Sequence, residues 1–431
     1  MSALAFIVTT FAGLFVIGVP IAFVLGLVAL GYLVLYMNFP LSVIAQQLYG
    51  GVNSFVLLAI PFFILAGHLM NHTGISEDLV KFADLVVGKL PGSLAQINIA
   101  SSILFAGLTG AAVADSAAIG SLMIPPMKRQ GYKAAYAAAV TAASSVIGPI
   151  IPPSIVMVIY GAVTDESISA LFMAGIIPGL LIGIGLMVLA GIYAVKEEHP
   201  RRTEKISFKE AVKLTKAAIY ALIAPIIIIG GITTGIFTPT EAAAVTCAYA
   251  FIIGIVVYKN LSLKDILKCI EHTAVQSAIV LLIISTATLF GYVIVIERIP
   301  DQLANLITVA TDNKIIFLLI VNIFLLFVGM IMETGAAIII IAPILQPIAL
   351  HFGVDSLHFA MVMLVNLIIG LSTPPLGVCL FTVAPIAGIN YEKVALRILP
   401  FIAVEIVVLF LITYIPDIVL YLPIKMGLHA P

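Results

Sequence analysis

The sequence predicts an all-α polytopic membrane protein folded as an inverted repeat, with two re-entrant helical hairpins and two broken helices. Three observations predict it. Of 431 residues, 62% are hydrophobic and only 10% are charged, whereas an average soluble chain is about one-quarter charged, so lipid is the solvent. Basic residues gather into a few clusters between apolar runs. Two matching stretches, "IGPIIPPSI" at Ile147–Ile155 and "IGLSTPPLG" at Ile369–Gly377, set adjacent prolines inside apolar segments. There they remove backbone donors and clash with the preceding turn.

The spans come first. Leu4–Met37, Ala170–Val195, Ile219–Ile236, Ile279–Ile296 and Pro400–Leu422 reach or exceed the roughly 20 residues that cross a bilayer. No Lys or Arg precedes Lys81, so Leu4 onward reads as a retained span rather than a cleaved leader. Cys247, Cys269 and Cys379 are too scattered for a disulfide framework or a metal cluster.

Charge sets the topology. Five groups hold 17 of the 20 Lys and Arg: Lys81 and Lys89; Lys128, Arg129 and Lys133; Lys196 through Lys216; Lys259, Lys264 and Lys268; Lys393 and Arg397. Placing all five inside leaves only Arg298, Lys314 and Lys425 outside, along with both termini. No nucleic-acid partner is expected.

The halves repeat. "DSAAIGSLMIP" at Asp115–Pro125 pairs with "ETGAAIIIIAP" at Glu333–Pro343. Gly148, Pro152 and Pro153 pair with Gly370, Pro374 and Pro375 at an offset of 222. "LLAIPFFILAG" ending at Gly67 pairs with "LLIISTATLFG" ending at Gly291, and Pro20 with Pro239. Basic residues flank the first acidic segment and the outer, acidic side flanks the second, so the copies are upside down relative to one another. That arrangement, with helices broken near the midplane, points to a secondary transporter.

Ala95–Met127 reads as a hairpin from the inner side with its tip at Ala106–Ser116. Lys314–Leu350 is its outward counterpart, with its tip at Gly329–Ala336. A broken helix follows each, at Tyr132–Ala162 and Leu357–Gly388, and each tip is expected to meet its own break. Backbone groups freed in hydrocarbon cost several kcal/mol unless protein, water or an ion satisfies them. Thr109, Ser144, Ser145, Thr334, Ser372 and Thr373 supply hydroxyls beside them. Hydroxyl and carbonyl oxygen together suit a hard cation, although any one hydroxyl can instead bond its own helix; Ser144 is read that way.

Asp115, Glu241, Glu333 and Glu405 are intramembrane acids, functional by default. Asp115 and Glu333 either hold a cation or tie the tip backbone together; the second is favoured, because two bare anions repel an acidic substrate. Glu241 is read as a helix cap with Thr238 or Thr240, Glu405 as structural, and His68 as packing. Ile75–Leu90 reads as an interfacial helix with Leu79, Phe82, Val86 and Leu90 on its apolar face; Phe208–Thr215 and Leu263–Ile270 look alike.

The chain resembles the large membrane (DctM-type) subunit of tripartite ATP-independent periplasmic (TRAP) transporters, essentially end to end. "GVPIAFVLG" at Gly18–Gly26, "GAAVADSAAIGSLMIP" at Gly110–Pro125, "IGPIIPPS" at Ile147–Ser154, "GIFTPTEAAAV" at Gly235–Val245 and "TPPLG" at Thr373–Gly377 carry the resemblance. It implies an elevator-type transporter of the ion-transporter superfamily in the bacterial inner membrane, driven by sodium bound at two or more sites. It implies three partners: a small four-helix membrane subunit, here a separate chain; a periplasmic substrate-binding protein; and an organic acid. Sialic acid is favoured over a C4-dicarboxylate.

Carried over by motif, sodium would contact Gly107, Thr109, Gly110, Ser145, Gly148, Ile151 and Pro152 at one site. At the other it would contact Gly329, Met332, Thr334, Gly335, Gly370, Ser372 and Thr373. Substrate would lie between the tips, against Ala112, Asp115, Ser116, Ser154, Glu333, Thr334 and Pro374. Residues 95–169 and 314–390 form the transport part. Residues 1–94, 170–273 with basic linker 196–216, 274–313 and 391–431 form the scaffold and its interfacial arms. A self-sufficient carrier or antiporter of the same fold is the alternative. Enzymatic activity is not expected: an intramembrane aspartyl protease wants two paired Asp, and no Gly-x-Gly-Asp occurs.

Overall fold

A computed structural model describes residues 3–37, 39–201, 206–302 and 313–430. Arg202 and Lys205 of the basic linker, most of the loop from Arg298 to Asp312, and the Thr109 side chain lie outside the described residues. Those described form helices and no strands, and eight of the helices are long and apolar enough to cross a membrane.

The run Leu4–Met37 is two helices, α1 (Ala3–Val16) and α2 (Ile21–Leu35). Gly18 turns left-handed between them and Pro20 sits at the N-cap of α2. Then come α3 (Leu41–Val52), a short 3-10 turn, α4 (Ala59–His72) and α5 (Ile75–Val87). On α5, Ile75, Leu79 and Ala83 are buried against the protein, while Val86 is 65% and Leu90 42% exposed, so the expected apolar face is divided between protein contact and outward exposure.

The first hairpin is α6 (Ser93–Thr109) and α7 (Ala112–Arg129), and the first broken helix is α8 (Ala134–Ser145) and α9 (Ile155–Thr164). After α10 (Ile168–Lys196) follow α11 (Phe208–Thr233), α12 (Pro239–Ile253) and α13 (Leu263–Ile296). Phe208–Thr215 and Leu263–Ile270 are not separate arms. They are the opening turns of α11 and α13, started by the Ser207 cap and the Ser262–Asp265 capping box. Glu241 accepts hydrogen bonds from the Thr238 backbone N–H at 2.8 Å and the Thr238 hydroxyl at 2.9 Å, closing the α12 capping box.

The second hairpin is α14 (Lys314–Ile331) and α15 (Thr334–His351). The second broken helix is α16 (Ser356–Gly370) and α17 (Val378–Ala387), with α18 (Tyr391–Tyr414) and α19 (Asp417–Lys425) closing the chain.

Packing gathers the helices into two groups, which meet where α5 and α11 lie on α6. In one, α2, α3 and α4 lie on α13, α12 lies on α4 and α11, and α5 on α11. In the other, α7 packs on α8 and α17, α15 on α9 and α16, and α14 on α16. The sequence grouping set Ala170–Val195 and Phe401–Leu422 with the scaffold; in the structure α10 and α18 pack against the broken helices. One such contact lies at the basic end. The Arg397 guanidinium pairs with Glu197 and stacks over Tyr193 at 4.4 Å and Tyr136 at 5.3 Å, and Lys133 reaches Glu197 at 3.5 Å. Burial alone would raise the Glu197 carboxyl, but the Arg397 and Lys133 charges outweigh it and hold the group below its usual range.

Within this second body the halves share a latch. Asn98 on α6 donates to the Thr141 hydroxyl on α8 at 2.7 Å, and Asn366 on α16 donates to Asn322 Oδ1 on α14 at 2.7 Å. Asn98 and Asn322, like Thr141 and Asn366, lie on corresponding helices of the two halves. All four are buried, so each hairpin is pinned to its own broken helix by a polar bond out of reach of water.

Candidate functional site

The two breaks open alike. After Ser145 the chain tightens through three i→i+3 bonds, from Val146, Ile147 and Gly148 N–H to the carbonyls of Ala143, Ser144 and Ser145. After Gly370 the N–H groups of Leu371, Ser372 and Thr373 do the same with Ile368, Ile369 and Gly370. Such tightening is how a helix end partly satisfies its last carbonyls. The Pro152–Pro153 and Pro374–Pro375 bonds are both cis. The first break runs six residues before Pro152 (146–151) and the second three before Pro374 (371–373). Gly148 therefore lies inside its break, while Gly370 ends its helix.

Each tip meets its own break. Gly110 is left-handed at φ 61°, and a Cβ there would sit 2.5 Å from the Pro153 carbonyl oxygen. On the other side the Gly329 and Gly370 backbones touch: a Cβ on Gly370 would lie 2.5 Å from Gly329 Cα. Glu333 caps α15, its carboxylate accepting from Ala336 N–H at 2.9 Å. Asp115, at the matching position, is fully buried, and a Cβ on Gly148 would run into its carboxylate.

The hydroxyls divide by environment. Ser145 donates to the Ala142 carbonyl at 2.7 Å and accepts from Ser116 at 2.6 Å. Ser372 donates to Ile369 or to Glu405, and Thr373 to the Ile369 carbonyl at 2.8 Å. Ser144 is drawn into the Asn98–Ser102 network. Ser154 is occupied as the α9 cap, accepting from Met157 N–H and donating to the Pro149 carbonyl at 2.6 Å. Thr334 Oγ1 is buried without a hydrogen-bond partner among the described residues. Met332 is extended at the end of α14, and Ile151 packs on Gly179 of α10.

Between the tips lies a cavity of about 490 Å³, with Gly110–Val113 and Glu333–Ala336 on one side and Gln276, Ile279 and Ile283 of α13 opposite. This is ordinary ligand-site size. Ala112, Glu333 and Thr334 line it, with Gly110 and Gly335. Asp115, Ser116, Ser154 and Pro374 are not among its lining residues; the first three face inward to the breaks. Gly107 packs away from the cavity, against Pro225 of α11. Gln276, which sequence reading missed, bonds His68 at 3.2 Å. Only the folded contact between α4 and α13 reveals that pair.

The cavity is thus walled on one side by hairpin tips and on the other by long helices. The profile of the family described as "Tripartite ATP-independent periplasmic transporter, DctM component" matches residues 8–418. The chain belongs to this family.

A relative described as the sialic acid TRAP transporter large permease protein SiaM of Vibrio cholerae is 41% identical over 411 residues, covering 95% of this chain and 96% of that protein. The isethionate TRAP transporter permease protein DctMQ of Oleidesulfovibrio alaskensis is 42% identical over 95% of this chain and 65% of its own length. The C4-dicarboxylate TRAP transporter large permease protein DctM of Pseudomonas aeruginosa is 39% identical, covering 89% and 90%. Among solved structures, the YdaH transporter of Alcanivorax borkumensis superposes with a TM-score of 0.62 at 15% identity, over 90% of this chain and 89% of that one. It shares the fold. This DctM-family chain is a multi-pass TRAP large permease subunit, not an enzyme.

Proposed function

We propose that this permease subunit imports an organic acid across the bacterial inner membrane, driven by sodium bound at the two breaks. The observation that carries the reading is the paired geometry. Each hairpin tip closes on the break of its own half, where hydroxyl and backbone oxygens converge. Hard oxygen donors at broken helix ends suit an alkali cation. One site draws on Gly107–Gly110 with Ser145–Pro152, the other on Gly329–Gly335 with Gly370–Thr373.

Substrate sits in the cavity between the tips. The first-turn N–H groups of α7, which begins without a side-chain cap, and the unpartnered Thr334 hydroxyl receive the carboxylate. Among the described residues no Lys or Arg lines the cavity, so sodium supplies the compensating positive charge. Sialic acid is the first ligand to test, given the SiaM relative, and a C4-dicarboxylate the second.

The body of α6–α10 and α14–α19 slides as a unit against α1–α5 and α11–α13, carrying α10 and α18 with it. A small membrane subunit braces the stationary body, and a periplasmic binding protein delivers the acid. The basic clusters face the cytoplasm and both termini the periplasm. In proteoliposomes, uptake is expected only with sodium, the small subunit and the binding protein together. Full-rate uptake by this chain alone, driven by protons, would overturn the reading in favour of a self-sufficient carrier.

A further inference from the structure

The two breaks differ in how negative charge reaches them. At the first, the Asp115 carboxylate lies directly against Gly148, buried from solvent. The repeat mate of Asp115 is Glu333, yet Glu333 does not do the same at the second break. Its carboxylate turns back to cap α15 at Ala336 N–H, and it lines the cavity. A strict repeat would leave the second break without an acid.

An acid is there nonetheless, from another helix. Glu405 on α18 is fully buried. One carboxylate oxygen accepts from the Ser372 hydroxyl, inside the break, at 3.2 Å. The other, Oε1, is buried with no hydrogen-bond partner among the described residues. Among the described residues Glu405 forms no ion pair. The loop holding Ser372 is closed by Cys379 N–H bonding the Leu371 carbonyl at 3.0 Å, so the carboxylate rests against a formed ring of backbone. A buried carboxyl oxygen without a partner is costly. Carboxylate beside hydroxyl and backbone carbonyl is the donor set of a hard cation.

We infer that Glu405 is the carboxylate of the second cation site: Oε1 contacts the sodium held at Gly370–Thr373, and Oε2 orients Ser372 toward the same ion. Glu405 thereby takes at the second break the place that Asp115 holds at the first. This frees Glu333 to shape the substrate cavity. Two cations then face two buried carboxylates, so the loaded body carries little net charge through hydrocarbon, where an unbalanced ion is expensive.

The inference rests on sodium binding at the breaks, and the experiment separates the two. The complete transporter, with small subunit and binding protein, is titrated with sodium as wild type, E405Q and E405D. Both uptake and sodium-induced thermal stabilisation of the purified membrane complex are read. Gln keeps the shape and the Ser372 bond but loses the charge. E405Q is expected to raise half-saturating sodium at least tenfold and to lower the sodium Hill coefficient. Half-saturating substrate at saturating sodium stays within twofold, and E405D falls between. A sodium titration of E405Q matching wild type would overturn the assignment and leave Glu405 a packing residue. Should E405Q fail to fold, E405D with a wild-type titration overturns it equally. A wild type indifferent to sodium removes the sodium reading itself, and this inference with it.

Discussion

At the scale of single residues, the hydroxyls at the breaks are placed to bond backbone and still offer oxygen. Ser145 donates to its own helix and accepts from Ser116; Thr373 donates to Ile369. A hydroxyl oxygen has two lone pairs, so each retains one for an ion. Losing one such contact is worth about 0.5–1.5 kcal/mol, roughly a two- to tenfold change in affinity. Ser145→Ala and Thr373→Val are therefore expected to raise half-saturating sodium by about that factor, with expression unchanged. Identical sodium titrations in both variants would remove these hydroxyls from the sites. Thr334 lies elsewhere in the chemistry: its hydroxyl is buried, unpartnered and on the cavity wall. Thr334→Val should raise half-saturating substrate several-fold at fixed saturating sodium. A shift confined to sodium would place it at the ion instead.

At the scale of elements, the close approach of tip and break tolerates no side chain. A Cβ on Gly370 would stand 2.5 Å from Gly329 Cα, where carbon atoms want about 3.5–4.0 Å. Both neighbours are backbone, so the tip must move. Gly370→Ala is expected to cut uptake at least tenfold while helical content by circular dichroism stays unchanged. Gly50→Ala, in α3 with nothing within 4 Å, should leave uptake intact. Near wild-type uptake by Gly370→Ala would show that the contact is not needed.

These elements were largely legible in the sequence. Proline pairs and glycines are local signals, so both hairpins and both breaks could be placed to within a few residues. What was illegible depends on tertiary contact. The three extra residues of the first break leave the Gly–x–x–x–Pro–Pro spacing untouched. The orientation of α5 turns on which stripe the neighbouring helices accept. The Asn98–Thr141 and Asn322–Asn366 latches join residues that read, one at a time, as unremarkable polar positions. Glu405 looked like an isolated acid because Ser372 lies 33 positions away.

At the scale of the whole molecule, the question is which helices travel together. The Arg397–Glu197–Lys133 cluster and the α18 packing on α8 and α16 join α10 and α18 to the broken helices. The sequence grouping set those spans with the scaffold; hydropathy marks a span but not its neighbours. The boundary between the two groups then runs along α6, which meets α5 and α11; on the α11 side Gly107 rests on Pro225, and a Cβ at 107 would lie 3.0 Å from that of Pro225. Disulfides join Cβ atoms about 3.5–4.5 Å apart, within a small adjustment of this geometry. If the bodies slide past one another, a bond across this seam must stop them. With Cys247, Cys269 and Cys379 replaced by Ala, the pair Gly107→Cys and Pro225→Cys should transport when reduced, with weakened sodium affinity from the change at Gly107. On oxidation it should arrest, and reductant should restore uptake. Each single cysteine should be insensitive to oxidant. Undiminished uptake by the fully oxidised pair, its cross-link verified by mass, would mean that α6 and α11 keep their contact throughout the cycle. The moving boundary would then have to lie elsewhere.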